Sequence, residues 1–465
     1  MNLDSLRHIY FLGLGGIGMS SIARYFNRRG MRISGYDKTP SPLTDALRSE
    51  GMQIHFEDLP EDLPEGIDLV VYTPAIPGTH GEFHRLKNSG IAMHKRSEVL
   101  AWITQSHYNV AIAGTHGKTT TSALLAHLLV ASGVPTTAFL GGICLNYDSN
   151  FIDTGNQVMV EEADEYDRSF LQLRPDIGIV GSLDADHLDI YGSRQAMLEA
   201  YAGFAKEVRG QGPLLIGDGI APADRVQLCA GCPPKLKVED FGLDTGEHRA
   251  RILGTSPRLT SFEYISKIYH IKDLTLALPG QHNVRNATAA IAAALQLGVD
   301  PAQIRGALAS FRGIQRRLQW RLDTPARVLI DDYAHHPEEL RAVIRACREM
   351  YPQRRLTGIF QPHLYTRTRD FMDEFARVLE SLDQVVLVEL YPAREVPIPG
   401  VDSGALFGRI RHPAKWLTDL DRLPGLLRNM DLDVVMTLGA GDLDTRIGEM
   451  VEVMNEQNAR IKRDE

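Results

Sequence analysis

The sequence predicts an α/β protein of three domains. Its 465 residues are too many for one ordinary domain of about 150 residues. Apolar strands alternate with helical segments, and this rhythm starts afresh twice along the chain. Two of the strands run straight into glycine-rich turns that open helices. Alternation of this kind builds parallel sheets with helices on their faces.

In the first stretch, Ile9 to Leu12 is a short apolar strand, and Ser20 to Asn27 has helical spacing after a glycine turn. Met31 to Tyr36 is a second strand ending at Asp37, and Asp68 to Tyr72 is a third, closed by Thr73-Pro74. The polar run Thr104 to His107 is the expected linker. A second unit opens with the strand Tyr108 to Ala113, passes through a glycine loop, and continues as a helix over Thr120 to Ala131 that stops at Gly133. Val158 to Val160 and Ile177 to Val180 are strands, each followed by acidic residues. Residues 210–275 read as short strands with Gly/Pro turns, and Asn286 to Leu297 as an alanine-rich helix. A third unit begins near Ala326 with the strand Val328 to Ile330. It continues through the helix Glu338 to Met350 and the strands Leu356 to Phe360, Val385 to Val388 and Val434 to Leu438. The charged tail Asn455 to Glu465 is expected to fray. Domain boundaries are expected at 1–106, 107–321 and 322–465.

Composition excludes several function classes. A formal net charge of -9 argues against a general nucleic-acid binder, which needs a basic surface, but leaves room for local basic pockets. No run approaches the roughly 18–20 apolar residues of a membrane helix. The apolar opening runs into glycines without a signal-peptide cleavage pattern. The expectation is a cytoplasmic enzyme, monomer or homodimer, with no nucleic-acid or membrane partner. Cys144, Cys229, Cys232 and Cys347 make no disulfide framework, and Cys229-Ala230-Gly231-Cys232 is a lone CxxC without a second pair or nearby histidines.

The chemistry centres on Gly114-Thr115-His116-Gly117-Lys118-Thr119. A strand, this loop and a helix place free N–H groups and the positive helix end at one point, which suits a polyphosphate such as ATP. Lys118 reaches the terminal phosphates, and the Thr119 hydroxyl suits Mg²⁺. The general GxxxxGK[ST] pattern fails, because Ile112 stands where the first glycine belongs. Glu161-Glu162-Ala163-Asp164-Glu165 and Asp184-Ala185-Asp186-His187 each follow a strand. Ligands gather at the carboxyl ends of parallel strands, so both runs are expected to face the loop's crevice and its metal. Either run alone reads as a solvated turn; beside a phosphate loop the metal reading wins.

The turn Gly13-Leu14-Gly15-Gly16-Ile17-Gly18, with Asp37 beyond it, is a dinucleotide fingerprint. It suggests an NAD-dependent oxidoreductase, but a lone GxGxxG says only that a phosphate approaches a helix start. Three later groups remain: Gly280-Gln281-His282-Asn283 with Asn286, Arg316-Arg317, and Asp331-Asp332-Tyr333-Ala334-His335-His336-Pro337. A helix cap and a solvated basic face are the plain alternatives for the first two.

Together these motifs, with Phe360 to Asp370 and Tyr391 to Ser403, resemble the Mur ligases, the ATP-dependent amide-forming enzymes of peptidoglycan synthesis, over essentially the whole chain. The short phosphate loop is the form that family uses. The resemblance implies an N-terminal Rossmann-like domain for a UDP-sugar, a central P-loop ATPase-type domain, and a C-terminal Rossmann-like domain for the amino acid. The implied reaction joins L-alanine to the lactyl carboxylate of UDP-N-acetylmuramate through an acyl phosphate, with ATP and Mg²⁺. Addition of a whole tripeptide to the same acceptor is the alternative, and a non-catalytic nucleotide-binding regulator a more distant one. By this resemblance Gly15, Gly16, Ile17, Gly18 and Met19 cradle the UDP-sugar. Gly114, Thr115, His116, Gly117, Lys118, Thr119, Thr120, His282 and Asn283 hold ATP; Thr119 and Glu162 hold one Mg²⁺, and Glu162 and His187 a second. Arg317 and Asp332 close on the nucleotide, and Tyr333, His363 and Arg367 shape the amino-acid pocket. His363 and His187 are the candidate bases. Two positions depart from the family pattern. Leu364 stands where many alanine-adding members have arginine, and position 202, where other members carry a carbamylated lysine, is alanine, so no carbamate is expected.

Overall fold

The computed structural model describes residues 3–184, 188–393 and 395–464. They form two compact units: residues up to 251 with 262–275 and 285–312, and residues 252–261 with 276–284 and 313 onward.

The first unit begins with β1 (His8–Leu12), α1 (Ile17–Arg28), β2 (Arg32–Tyr36), α2 (Pro42–Ser49), β3 (Gln53–His55), β4 (Leu69–Tyr72), α3 (Gly81–Asn88), β5 (Ala92–Lys95) and α4 (Arg96–Thr104). The five strands are all parallel in the order β3-β2-β1-β4-β5. This is the doubly wound arrangement, with its switch point beside β1.

A ten-stranded sheet follows. Its elements are β6 (Tyr108–Ala113), α5 (Lys118–Ala131), β7 (Thr136–Cys144), β8 (Ser149–Asp153), β9 (Val158–Glu162), β10 (Ile177–Val180), α6 (Leu188–Tyr191), α7 (Arg194–Lys206), β11 (Leu214–Gly217), α8 (Pro222–Cys229) and β12 (Val238–Leu243). The succession ends with β13 (His248–Ser256), β14 (Leu259–Ile265), β15 (His270–Leu276), α9 (Gln281–Gln296) and α10 (Pro301–Ser310). The strand order is β15-β14-β13-β12-β11-β10-β6-β9-β7-β8. β6 is buried from Asn109 on, and α5 is buried on every side from Thr119 to Leu129, with an apolar second half interrupted by His127. A helix of that character belongs to an interior, not to a surface. The first two sheets share packing: Ile22, Tyr25 and Phe26 of α1 lie in one core with Phe139, Phe151 and Met159 of β7, β8 and β9.

The second unit contains β16 (Gln319–Asp323), β17 (Val328–Asp332), α11 (Pro337–Met350), β18 (Leu356–Phe360), α12 (Tyr365–Asp370), α13 (Met372–Leu379), β19 (Gln384–Val388), α14 (Ser403–Arg409), β20 (Lys415–Thr418), α15 (Leu423–Arg428), β21 (Val434–Leu438) and α16 (Ile447–Asp464). Its strands run in the order β16-β17-β21-β18-β19-β20, with β16 antiparallel at the edge. Each face of the sheet carries its own core, one built on α11 and α13, the other on α15 and α16. The tail corrects an expectation: instead of fraying from Asn455, it continues as helix α16 to Asp464. Val453 and Met454 are buried in the core, and the Gln457 amide donates to the carbonyls of Leu427 and Met430, so the tail is tied to the end of α15. Among the described residues no helix is long and apolar enough to cross a membrane.

Candidate active site

The glycine loop sits at the carboxyl end of β6, between β10 and β9, where the connections of the sheet diverge. Gly114 has φ +126° and Gly117 φ +81°, regions that favour glycine. A Cβ on Gly114 would meet the amides of Gly181 and Ser182 at 2.9 Å, and one on Gly117 would meet the Asn286 side-chain oxygen at 2.6 Å. Lys118 and Thr119 lie in the first turn of α5, two residues earlier than the sequence placed it, so its unpaired N–H groups open onto the loop. The loop is braced from β10's exit: Ser182 Oγ accepts from the His116 N–H and shares a hydrogen bond with the Thr115 hydroxyl, both at 2.9 Å. The Asp184 N–H donates to Thr115 Oγ1 at 3.1 Å, and the His116 ring lies 3.6 Å from the Asp184 carboxylate. Thr120 is buried in the same turn.

Lys118 Nζ donates to Glu165 Oε1 at 2.8 Å and to the Gly114 carbonyl at 2.7 Å. Burial alone would lower the ammonium pKa. The Glu165 carboxylate, with Asp164 and Glu162 behind it, outweighs that and holds it above the ordinary lysine range. Glu162 also reaches the loop: Thr119 Oγ1 donates to it at 3.2 Å, Ser122 Oγ at 3.2 Å and the Gly141 N–H at 2.5 Å. A hydroxyl and a carboxylate side by side are hard oxygen donors, a set that fits Mg²⁺.

Glu161 departs from the expectation that the whole acidic run faces this crevice. β9 continues through Glu162, and successive strand side chains take opposite faces. Glu161 therefore turns into the interior and is fully buried. Burial pushes its carboxyl up to about 8, with the Thr104 hydroxyl and Arg209 pulling the other way. His187 lies outside the described residues.

At the N-terminal turn the structure divides the expected cradle. The N–H groups of Gly13 and Leu14 donate to the Tyr36 carbonyl, that of Gly15 to Asp37 Oδ2 at 2.7 Å, and that of Gly16 to the Gly13 carbonyl. Asp37 thus braces the turn itself. The open donors are those of Ile17, Gly18 and Met19 in the first turn of α1, which have no acceptor within the helix. Arg96 lies over that turn, its guanidinium nitrogen 2.8 Å from where a Gly18 Cβ would stand, and it donates to Asp164 at 2.9 Å.

The second unit brings its own residues together. Asp332 accepts the N–H groups of Leu318 (2.7 Å) and Ala334 (2.8 Å), and burial pushes its carboxyl up to about 6 while Arg317 pulls it down. Its bonds pin the Arg316–Leu318 turn, in which Arg316 and Leu318 both have positive φ. The paired arginines separate in role: Arg316 bonds the Gly439 carbonyl and Asp444, while both guanidiniums lie about the Tyr333 ring, at 5.0 and 5.3 Å. Tyr333, His335, His363 and Tyr391 form a continuous run of ring contacts, ending in His363 stacked on Tyr391 at 5.8 Å. Arg367 is buried in α12. Leu364, at the cap of that helix, has φ +69° and ψ 136°. Asn283 is buried and its amide donates to the Pro279 carbonyl at 2.8 Å, while a Cβ on Gly280 would strike the His282 ring.

Sequence reasoning gave no individual role to Glu165, Asn286 or Tyr391, though each lies in a motif it named, and none at all to Arg96 or Ser182. Glu165 was detectable as an acid three residues after Glu162; nothing in the motif patterns singles out Arg96 or Ser182. Burial pushes the thiols of Cys229 and Cys232 up, the latter to about 11, so neither is a ready thiolate.

Residues 8–108, 112–294 and 316–441 match, respectively, the Mur ligase family catalytic domain, the Mur ligase middle domain and the Mur ligase glutamate ligase domain. The chain belongs to the Mur ligase family, an ATP-dependent family, and has its three-domain α/β fold. Among curated relatives, the UDP-N-acetylmuramate–L-alanine ligase of Flavobacterium psychrophilum is 44% identical over 455 residues, covering 97% of this chain and 98% of that protein. The enzyme of the same name from Porphyromonas gingivalis is 43% identical over 450 residues, covering 94% and 97%. Among solved structures, the UDP-N-acetylmuramate-alanine ligase of Thermotoga maritima superposes with a TM-score of 0.81 at 26% identity, covering 97% of this chain and 99% of that one. A murein peptide ligase from Psychrobacter arcticus shares the fold, with a TM-score of 0.74 at 22% identity, covering 97% and 98%.

Proposed function

We propose that this protein is an ATP-dependent ligase that joins L-alanine to the lactyl carboxylate of UDP-N-acetylmuramate, releasing ADP and phosphate. The observation that carries the reading is the group at the end of β6: a glycine loop, Lys118, and Thr119 paired with Glu162, in a chain so close over its full length to ligases of that activity.

The lactyl carboxylate attacks the γ-phosphorus of ATP, the bond to the bridging oxygen breaks, and ADP leaves. The amine of L-alanine then attacks the acyl carbon, phosphate departs, and the amine gives up its proton. A carboxylate is a poor electrophile, and phosphorylation supplies its leaving group. Thr119 and Glu162, with His187, would hold Mg²⁺, whose charge would offset that of the phosphates. Lys118 does the same from the protein side, and Gly114 to Thr120 bind the phosphates through backbone donors. The first turn of α1, Ile17 to Met19, takes the diphosphate of the UDP-sugar, with Gly15 and Gly16 shaping the approach and Arg96 adding a cation. His282 and Asn283 serve the nucleotide, as does Arg317, in the turn that Asp332 pins through the Leu318 N–H. Tyr333, His363 and Arg367 form the amino-acid pocket.

The test is phosphate release with UDP-N-acetylmuramate and ATP, comparing L-alanine with the tripeptide L-alanyl-γ-D-glutamyl-meso-diaminopimelate. Turnover with L-alanine is expected; turnover with the tripeptide alone overturns the assignment.

A further inference from the structure

We propose that Asn150 is a positioning residue that fixes the register between the first turn of α1 and the nucleotide loop of the central sheet. The proposal rests on the ligase reading above. Asn150 lies on β8, fully buried, one residue before Phe151 in the apolar seam between α1 and the central sheet. A carboxamide costs free energy in such surroundings unless its polar atoms are used. They are. Nδ2 donates to the Ile17 carbonyl and, at 2.9 Å, to Ser20 Oγ; Oδ1 accepts from Arg24 Nη1. Arg24 is itself buried, and its Nε and Nη2 fork onto Glu50 at 3.0 and 2.6 Å.

The network holds the back of one particular turn. Ile17 opens α1, so its carbonyl points down the helix while the open N–H groups of the same turn point the opposite way, toward the diphosphate end. The other side of the network leads to the phosphate loop. β8 pairs with β7, and Gly141 of β7 donates its N–H to Glu162, the carboxylate beside Thr119. One hairpin therefore grips both the substrate turn and the metal-side carboxylate. Apolar side chains could fill this seam with equal stability, since buried polar networks gain little over well-packed hydrophobic replacements. Hydrogen bonds add a single permitted register, which an apolar seam lacks. Register is what the first chemical step needs: the carboxylate and the γ-phosphorus are bound by different domains and must meet at reacting distance.

The experiment uses the full-length protein with Asn150→Leu, Arg24→Met, the double variant Arg24→Met/Asn150→Leu, and Ser20→Ala. Thermal unfolding, the Kd of UDP-N-acetylmuramate, the Kd of a non-hydrolysable ATP analogue, and kcat are measured for each. Both Kd values should stay within about 3-fold of wild type, while kcat falls about 10- to 100-fold in the Asn150 and double variants, because a misplacement near 1 Å costs about that much. Ser20→Ala removes the hydroxyl that accepts from Asn150 and donates to the Ile17 carbonyl, without opening a large cavity, and should show the same split at about 3-fold. Wild-type kcat in a double variant that unfolds at the wild-type temperature overturns the proposal. So does a rise in the Kd of UDP-N-acetylmuramate that matches the loss in kcat, or an unchanged kcat in Ser20→Ala should the larger variants not fold. Because kcat is scored against wild type with whichever amino acid wild type ligates, a wrong amino acid and a wrong positioning role give different results.

Discussion

Replacing Glu161 with glutamine keeps the shape of a fully buried side chain and removes its proton equilibrium. In the fold this carboxyl titrates near 8, against 4.5 for an unburied glutamate, because burial penalises its charged form. The folded chain therefore keeps a proton that the unfolded chain releases once the pH passes the lower value. The contribution is fully present below the unfolded pKa and is lost as pH rises through the folded one. Each pH unit between the two values removes about 1.4 kcal/mol. Between about pH 6 and pH 8, with partial ionisation in the fold at the upper end, wild type should lose about 2 kcal/mol relative to Glu161→Gln. Urea unfolding of both proteins across that range, with the free-energy gap plotted against pH, reads this directly. A gap that does not widen refutes the reasoning, for it would mean that Glu161 is already ionised in the fold and held by Arg209.

Lys118→Ala should reduce ligation by at least about 10²-fold, the scale for removing one preorganised electrostatic group, while leaving the Kd of UDP-N-acetylmuramate unchanged by calorimetry; near-normal phosphate release would remove Lys118 from the mechanism. Leu364→Gly should hold or raise stability by on the order of 1 kcal/mol, because a leucine at positive φ costs about 1–3 kcal/mol and glycine gives back only part of that in chain entropy. Leu364→Ala should show no such gain in the same thermal unfolding experiment.

Much of the fold was legible from periodicity. β6, the glycine loop and α5 form a continuous apolar strand, a turn and a helix with an unambiguous end at Gly133, and the structure places them within two residues of that reading. The three-domain α/β class followed from the same alternation. The acidic run was harder to place. The pattern shows five acidic or small residues after an apolar strand, but only the register of β9 against β6 and β7 tells that Glu162 faces the loop and Glu161 the core. The fingerprint at Gly13 to Gly18 was visible, yet which of its amides remain open depends on Asp37 and the Tyr36 carbonyl folding back on it. Arg96 and Asn150 gave no signal at all, since each acts through a partner dozens of residues away: Asp164 for one, Ile17 and Arg24 for the other. The tail was misread because charge was counted and the buried Val453 and Met454 stripe was not.

The pairing of Lys118 with Glu165 has a consequence for affinity. At 2.8 Å, with the carboxylate buried, the chain supplies its own stand-in for the nucleotide's terminal phosphate. Under the proposed mechanism an incoming triphosphate would not meet a bare cation; it would have to displace an anion that is already seated. The resident carboxylate keeps the lysine charged and aimed, and in the proposed mechanism it would set a threshold against weaker anions such as free phosphate. On that reading Glu165, once displaced, would leave its negative charge within the nucleotide's surroundings, so that binding and charge redistribution at the loop would be one event.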